Sequence, residues 1–211
     1  MEPGFFTKHP ILKDIISLVS FVALVILGTI FLNTYIYRSY NVVGPSMMNT
    51  LIDSDRVIVN RFAVSMAHFS GHEYVPERGQ IIVFANGDSH GPLTCDAPSD
   101  RTDQYIIKRV IAFPGERVTV KDGIMTVYNE EYPDGHNYDE EWRKSDTEGP
   151  KKYTSGEVDT IVPDGEIFVS GDNREGSNSY DSRSGLGTIP YCRIIGPVIF
   201  RLFPLDKMQI F

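Results

Sequence analysis

Residues 15–32 read IISLVSFVALVILGTIFL, a stretch with no charged side chain, and residues 33–36 extend it to about the 20 residues that cross the hydrocarbon of a bilayer. An apolar helix of this length must be hidden in a protein core or in lipid. A core helix is the weaker reading, because charge-free runs this long are unusual in soluble domains. A cleaved secretory signal is opposed by the exit, where Asn33, Tyr35, Tyr37 and Arg38 replace the small residues that a cut requires. The expectation is a permanent anchor over residues 15–36, a short segment before it at 1–14, and one domain after it at 37–211. Lys8 and Lys13 before the span outweigh Arg38 after it, a slight bias toward a cytoplasmic N-terminus and an extracytoplasmic domain. Tyr35, Tyr37 and Tyr40 suit an interfacial belt at the exit.

With 211 residues, 41% of them hydrophobic, the chain can build one anchor and one globular core. A formal charge of -8 with no block of Lys and Arg excludes a nucleic-acid partner, since phosphate binding needs clustered cations. Cys95 and Cys192 stand far apart without metal-ligand spacing, so no zinc site is expected, and two free thiols are favoured over one long-range disulfide. After the anchor, short β-rich runs recur at 42–43, 56–59, 80–84, 105–111, 117–120, 124–128, 166–170 and 194–202. Turn chemistry separates them at Pro114-Gly115, Asp122-Gly123 and Pro163-Asp164-Gly165, and a predominantly β domain is predicted. Residues 86–104 and 129–158 are polar and read as insertions, the second long enough for a small lobe around the sole tryptophan, Trp142. The apolar run at 62–69 is either a core turn or a surface that dips into lipid.

Gly44-Pro45-Ser46-Met47-Met48 presents a serine at a constrained turn just past the anchor. Serine is a weak nucleophile unless a base lies within hydrogen-bond reach. None of the five histidines, His9, His68, His72, His90 and His136, falls in a predicted core strand, and the i, i+4 pair His68 and His72 lacks the glutamate of a metal-hydrolase motif. Lys108 is a better candidate. Alternation along 105–111 puts it on one face with Ile106 and Val110. Neutralising a lysine of pKa about 10.4 at pH 7 costs roughly 4.6 kcal/mol, and desolvation on an apolar face can supply a shift of several units. A strand lysine that reaches water or pairs with a carboxylate is the alternative. A third cluster, Gly171-Asp172-Asn173-Arg174 followed by Ser177, Ser179, Asp181, Ser182 and Arg183, is dense polar chemistry after a strand, though Gly-Asp-Asn also serves in plain turns.

Taken together, Ser46-Met47-Met48, Lys108-Arg109-Val110 with Phe113-Pro114-Gly115-Glu116, and Gly171-Asp172-Asn173-Arg174 with Ser179 and Asp181-Ser182-Arg183 follow one another as in type I signal peptidases. The chain resembles that family from the anchor through nearly all of the β domain. The resemblance implies a signal-peptidase-like β-fold with an N-terminal transmembrane helix and a small inserted lobe. It implies a membrane-bound endopeptidase that cuts exported preproteins after small residues, typically Ala-X-Ala, beside the lipid bilayer and near the secretion translocon. Ser46 then matches the nucleophile, Lys108 the base and Ser179 the hydroxyl that orients the lysine. Asp181 and Arg183 match a supporting ion pair, and Asp172, Asn173 and Arg174 the residues bracing the site. Val42, Val43, Met47, Leu51, Ile106 and Ile107 resemble the apolar walls of small substrate pockets, where the substrate enters as an extended strand. No metal or organic cofactor is implied.

The sequence departs from the family pattern in three places. Asn49 stands where proline is expected, residues 175–178 are extra before Ser179, and Gly44 replaces a serine that helps some relatives hold the oxyanion. The oxyanion would then depend on backbone N–H groups, chiefly that of Ser46. A second reading, an assembly factor for surface structures that has lost catalysis, is opposed by the presence of both Ser46 and Lys108. A self-cleaving soluble repressor peptidase is opposed by the anchor and by the lack of a DNA-binding segment.

Overall fold

The computed structural model describes residues 10–86, 95, 105–138 and 153–211. Helix α1 spans Pro10–Phe31, starting ahead of the apolar run, and passes into a π-helical turn at Leu32–Ile36. Proline suits a first helical turn, where a missing N–H breaks no hydrogen bond. None of the apolar window is covered by the other described residues, so lipid is the environment that this surface fits.

The chain leaves the span directly as β1 (Tyr37–Asn41), then forms β2 (Arg56–Asn60), helix α2 (Phe62–Phe69), β3 (Ile81–Ala85) and β4 (Tyr105–Ala112). β5 (Arg117–Lys121), β6 (Ile124–Tyr128), β7 (Val158–Ile161), β8 (Glu166–Ser170), β9 (Ile189–Pro190), β10 (Ile194–Phe203) and β11 (Gln209–Ile210) follow. Among the described residues the main sheet runs β1-β2-β10-β3-β4-β8-β9, with β11 on β10, and a smaller sheet runs β6-β5-β7. The fold is the predominantly β one that the sequence predicted.

β3 is buried along its whole length because both of its faces are covered. Ile81 and Val83 enter one core with Val42, Met47, Leu51, Val57 and Val59, while Ile82 and Phe84 enter a second with Val110, Ile167 and Val169. Alternation in β4 follows suit, with Ile106 and Val110 at the second core and Ile107 at the first. The small sheet closes a third core around Ile111, Val118, Val120, Met125 and Phe168. β10 joins the two halves of the main sheet by pairing first with β3 and then, past a register shift, with β2. Gly196, at φ +155°, permits that crossing, since a Cβ there would overlap the carbonyl of Asn60.

Several expectations need correction. Residues 42–43 are not a strand; the strand precedes them, and its sequence Tyr-Arg-Ser-Tyr-Asn carries only a weak β signal. The run at 62–69 is a helix, with Val64 buried and Phe62, Met66 and Phe69 exposed. Cys95 and Cys192 are not free thiols but a disulfide, with Cα atoms 5.8 Å apart across a separation of 97 residues. The fold brings Cys192, in the 3-10 turn Tyr191–Arg193, against Cys95, a proximity that linear spacing hides. Within the insertions at 86–104 and 129–158, residues 87–94, 96–104 and 139–152, including Trp142, lie outside the described residues.

Candidate active site

Residues 42–55 form a loop closed at its neck, where Val42 N–H donates to the Asp55 carbonyl at 2.8 Å and Ser54 N–H to the Val42 carbonyl at 2.9 Å. Met47 and Leu51, both fully buried, root the loop in the core, and the N–H groups of Thr50 and Leu51 return to the Met47 carbonyl. Gly44 sits at φ +87°, a region that favours glycine, and its N–H donates to Asp53 Oδ1 at 2.8 Å. Ser46 is thereby held at a turn with its hydroxyl free to meet a base. Its N–H has no acceptor among the described residues.

That base is within reach. Lys108 Nζ donates to Ser46 Oγ at 2.8 Å and to its neighbour's carbonyl, Ile107 O, at 2.9 Å. The side chain comes from β4, where Lys108 pairs with Ile82 of the buried strand β3, and only 3% of the residue is exposed. Burial pulls its pKa from 10.5 down to about 8, against the opposing pull of Asp181 and Asp172.

The turn after β8 clamps the nucleophile loop. Asn173 donates its N–H to the Ser46 carbonyl at 3.0 Å and its amide to the Pro45 carbonyl at 3.1 Å. Asp172 accepts from Thr50 Oγ1 at 2.5 Å and takes a two-pronged pair from Arg109, Nε at 2.8 Å and Nη2 at 2.5 Å. Burial alone would raise the Asp172 carboxyl, but Arg109 and Thr50 outweigh it and hold the group below the usual carboxylate range. Gly171 makes the approach possible, because a Cβ there would overlap both Ser179 Oγ and the Ser46 carbonyl.

A second tier lies behind this turn. Asp181, fully buried, accepts from Ser179 Oγ at 2.6 Å, Gly171 N–H at 2.9 Å and the Arg183 guanidinium at 2.8 and 3.0 Å. Burial pushes its carboxyl up, and Arg183, Ser179 and Gly171 together bring it below its ordinary value. Arg183 also reaches the Arg174 carbonyl at 3.0 Å, and Arg174 Nε closes the turn on the Gly171 carbonyl at 2.6 Å.

The fold thus gathers Ser46, Lys108, Asp172 and Asn173 in contact, with Arg174, Ser179, Asp181 and Arg183 behind them. Ser179 is buried and Ser177 exposed, but the Ser179 hydroxyl is committed to Asp181 and makes no hydrogen bond to Lys108. Among the residues matched to apolar walls, Val42, Met47 and Leu51 are core side chains, Ile106 and Ile107 are half-buried, and Val43 is 83% exposed. Sequence reasoning missed Arg109, Thr50 and Asp53 as parts of the site. Alternation offered a signal for Arg109, a charge adjacent to Lys108 that must point to the other side of β4. The described histidines, His68, His72 and His136, make no hydrogen bond with Ser46.

The model of the family described as signal peptidase, peptidase S26, matches residues 13–203. A probable signal peptidase I-1 of Synechocystis is 37% identical over 164 residues, 78% of this chain and 70% of that protein. Signal peptidase I P of Bacillus subtilis subsp. natto is 30% identical over 201 residues, 93% of this chain and 94% of its own length. A signal peptidase I structure from Enterococcus faecalis aligns with 58% of this chain at 23% identity and a TM-score of 0.40. The family match spans both the helix and the serine-lysine site, and the chain belongs to the signal peptidase family, peptidase S26.

Proposed function

We propose that Ser46 and Lys108 carry the reaction of this chain, which is a membrane-anchored serine endopeptidase that removes signal peptides from preproteins. The observation that carries this reading is the 2.8 Å contact between Ser46 Oγ and a buried lysine whose pKa has fallen to about 8. The neutral amine accepts the Ser46 proton as Oγ attacks the scissile carbonyl, and the Ser46 N–H faces the oxyanion that develops. The proton then passes from Lys108 to the leaving amine, and the mature protein departs. Lys108 next deprotonates a water that attacks the acyl ester, which frees the signal peptide and restores Ser46.

In this reading Asp181 and Arg183 support the lysine's surroundings, and Ser179, whose hydroxyl donates to Asp181, acts through that carboxylate. Ile107 and the exposed Val43 form the reachable apolar wall, with Val42, Met47 and Leu51 packed behind it, while Ile106 lies on the other face of β4. Cleavage after small residues such as Ala-X-Ala is the specificity proposed for this site. The disulfide supports an extracytoplasmic position for the catalytic domain and a cytoplasmic N-terminus in the cell membrane, because such bonds persist in oxidising compartments. A site one short strand away from the bilayer also suits substrates arriving from a nearby translocon.

Helix α2 extends the membrane contact. Ser65 Oγ donates to the Tyr35 carbonyl at 3.1 Å and Arg61 N–H to the Ile36 carbonyl at 2.8 Å, so Phe62, Met66 and Phe69 are exposed beside the end of the span. Lipid is the partner that would cover them. The functional reading is tested by cleavage of a preprotein with Ser46→Ala and Lys108→Ala. Each should lower turnover by at least about a thousandfold while the circular dichroism stays that of the parent; near-parental turnover by either would reject the assignment.

A further inference from the structure

Thr50 is gripped from two sides. Asp172 takes its hydroxyl, and Arg201 of β10 takes its carbonyl, with Nη1 donating at 2.9 Å. The same nitrogen donates to Asp55 Oδ2 at 3.1 Å, at the neck of the nucleophile loop. Asp55 is 1% exposed, its Oδ2 also accepts Ile52 N–H at 3.0 Å, and its Oδ1 has no hydrogen-bond partner among the described residues. Arg201 is the cation paired with that buried carboxylate.

The other arms of the guanidinium reach away from the site. Nε donates to the Lys207 carbonyl at 2.7 Å and Nη2 to Gln209 Oε1 at 2.8 Å, both in the segment that returns as β11. Arg201 pairs with Val57 on one side of β10 and with Gln209 on the other, and the β2–β10 register shifts between Arg201 and Phe203. Such irregularities re-aim side chains. The planar fork of an arginine can hold a carbonyl, a carboxylate and a neighbouring strand in fixed mutual geometry, whereas a lysine can act only as a point charge.

We infer that Arg201, oriented by the C-terminal segment through Lys207 and Gln209, is a positioning residue for the nucleophile loop and sets the placement of Ser46 against Lys108. This rests on the serine-lysine reading above. Arg201 touches none of the reacting atoms; it acts through Thr50 and Asp55, four and nine residues along the loop from Ser46. A displacement of about 1 Å at a reacting atom costs on the order of a hundredfold in rate, so a small relaxation of this loop has a measurable consequence.

The test uses the full chain in detergent or nanodiscs with a preprotein substrate, at a temperature well below the melting point of every variant. Arg201→Lys keeps a cation for Asp55 but loses the fork, and Gln209→Ala loosens the fork from the C-terminal side without touching Asp55. Arg201→Lys is expected to lower kcat by about ten- to a hundredfold and Gln209→Ala by a few-fold. KM should stay within about twofold, and the pKa of the kcat profile should match the parent's. Arg117→Ala, which removes an exposed ion pair with Asp159 on the small sheet, should leave kcat unchanged. Parental kcat in both Arg201→Lys and Gln209→Ala, with only a lowered melting temperature, would reduce Arg201 to a stabilising residue and overturn the inference, as would a rise in KM alone. Lys108→Ala run in parallel separates the two failures: if it retains activity the serine-lysine reading falls, and if it is inactive while Arg201→Lys turns over normally, only the positioning role falls.

Discussion

Burial leaves the Lys108 ammonium with little water, and a pKa of about 8 makes about a tenth of it neutral at pH 7. Turnover should therefore rise about tenfold per pH unit below that value and level off above it, measured as kcat under saturating preprotein. A profile flat from pH 6 to 9 would mean that another group is the base. The same shift affects stability. The folded pKa lies below the unfolded 10.5, so between about pH 8 and 10.5 the unfolded chain binds more protons and stability rises with pH. That window is worth about 3 kcal/mol from this one group, and denaturation of Lys108→Met across it should lack the rise. The sequence paired Ser46 with Lys108 because a nucleophile needs a base and because the motifs resemble those of a known family, and the fold sets the two side chains 2.8 Å apart. Ser179 was read as a partner of the lysine, yet its hydroxyl lies on Asp181, and no spacing along the chain reports the direction of a hydroxyl. Ser179→Ala should slow turnover and Ser177→Ala should not, since only Ser179 is buried among these groups; the reverse result would move the role to Ser177.

Elements rather than single residues determine how the site meets the membrane. Strands with clear alternation or a continuous apolar run, such as β3, β4 and β8, could be read directly from the sequence. β1, β7, β9 and β11 could not, being polar or only two residues long. The run at 62–69 shows the same limit, because eight residues, six of them apolar, fit a buried turn and a surface helix equally well until the span beside them is located. With α2 hydrogen-bonded to the end of the π-helical turn, a tryptophan placed at Phe69 in a Trp142→Phe background should be quenched by brominated lipids in nanodiscs. Fluorescence unaffected by bromination would leave α2 in water.

At the scale of the whole molecule, the described residues comprise an apolar helix, a main and a smaller β-sheet, and the Cys95–Cys192 cross-link. The cross-link was the part least visible in the sequence, since a separation of 97 residues carries no spacing signal and the turn holding Cys192 is placed only by the β8–β9–β10 topology. Closing a loop of that length stabilises a domain by about 4.7 kcal/mol in the chain-entropy account, so Cys95→Ser with Cys192→Ser should lower the melting temperature clearly; an unchanged melting curve would deny the bond a structural role. The family-wide motifs were legible because each marks a backbone or charge requirement, whereas the Arg109 and Arg201 clamps join residues that only the folded sheet brings together. The central claim is that a neutral lysine activates Ser46 beside the bilayer. Its most direct test is cleavage of a membrane-presented preprotein bearing Ala-X-Ala by the parent chain and by Lys108→Ala, side by side and both folded. Cutting at that site by the parent alone is the predicted result; cutting by both chains, or by neither, would contradict the account.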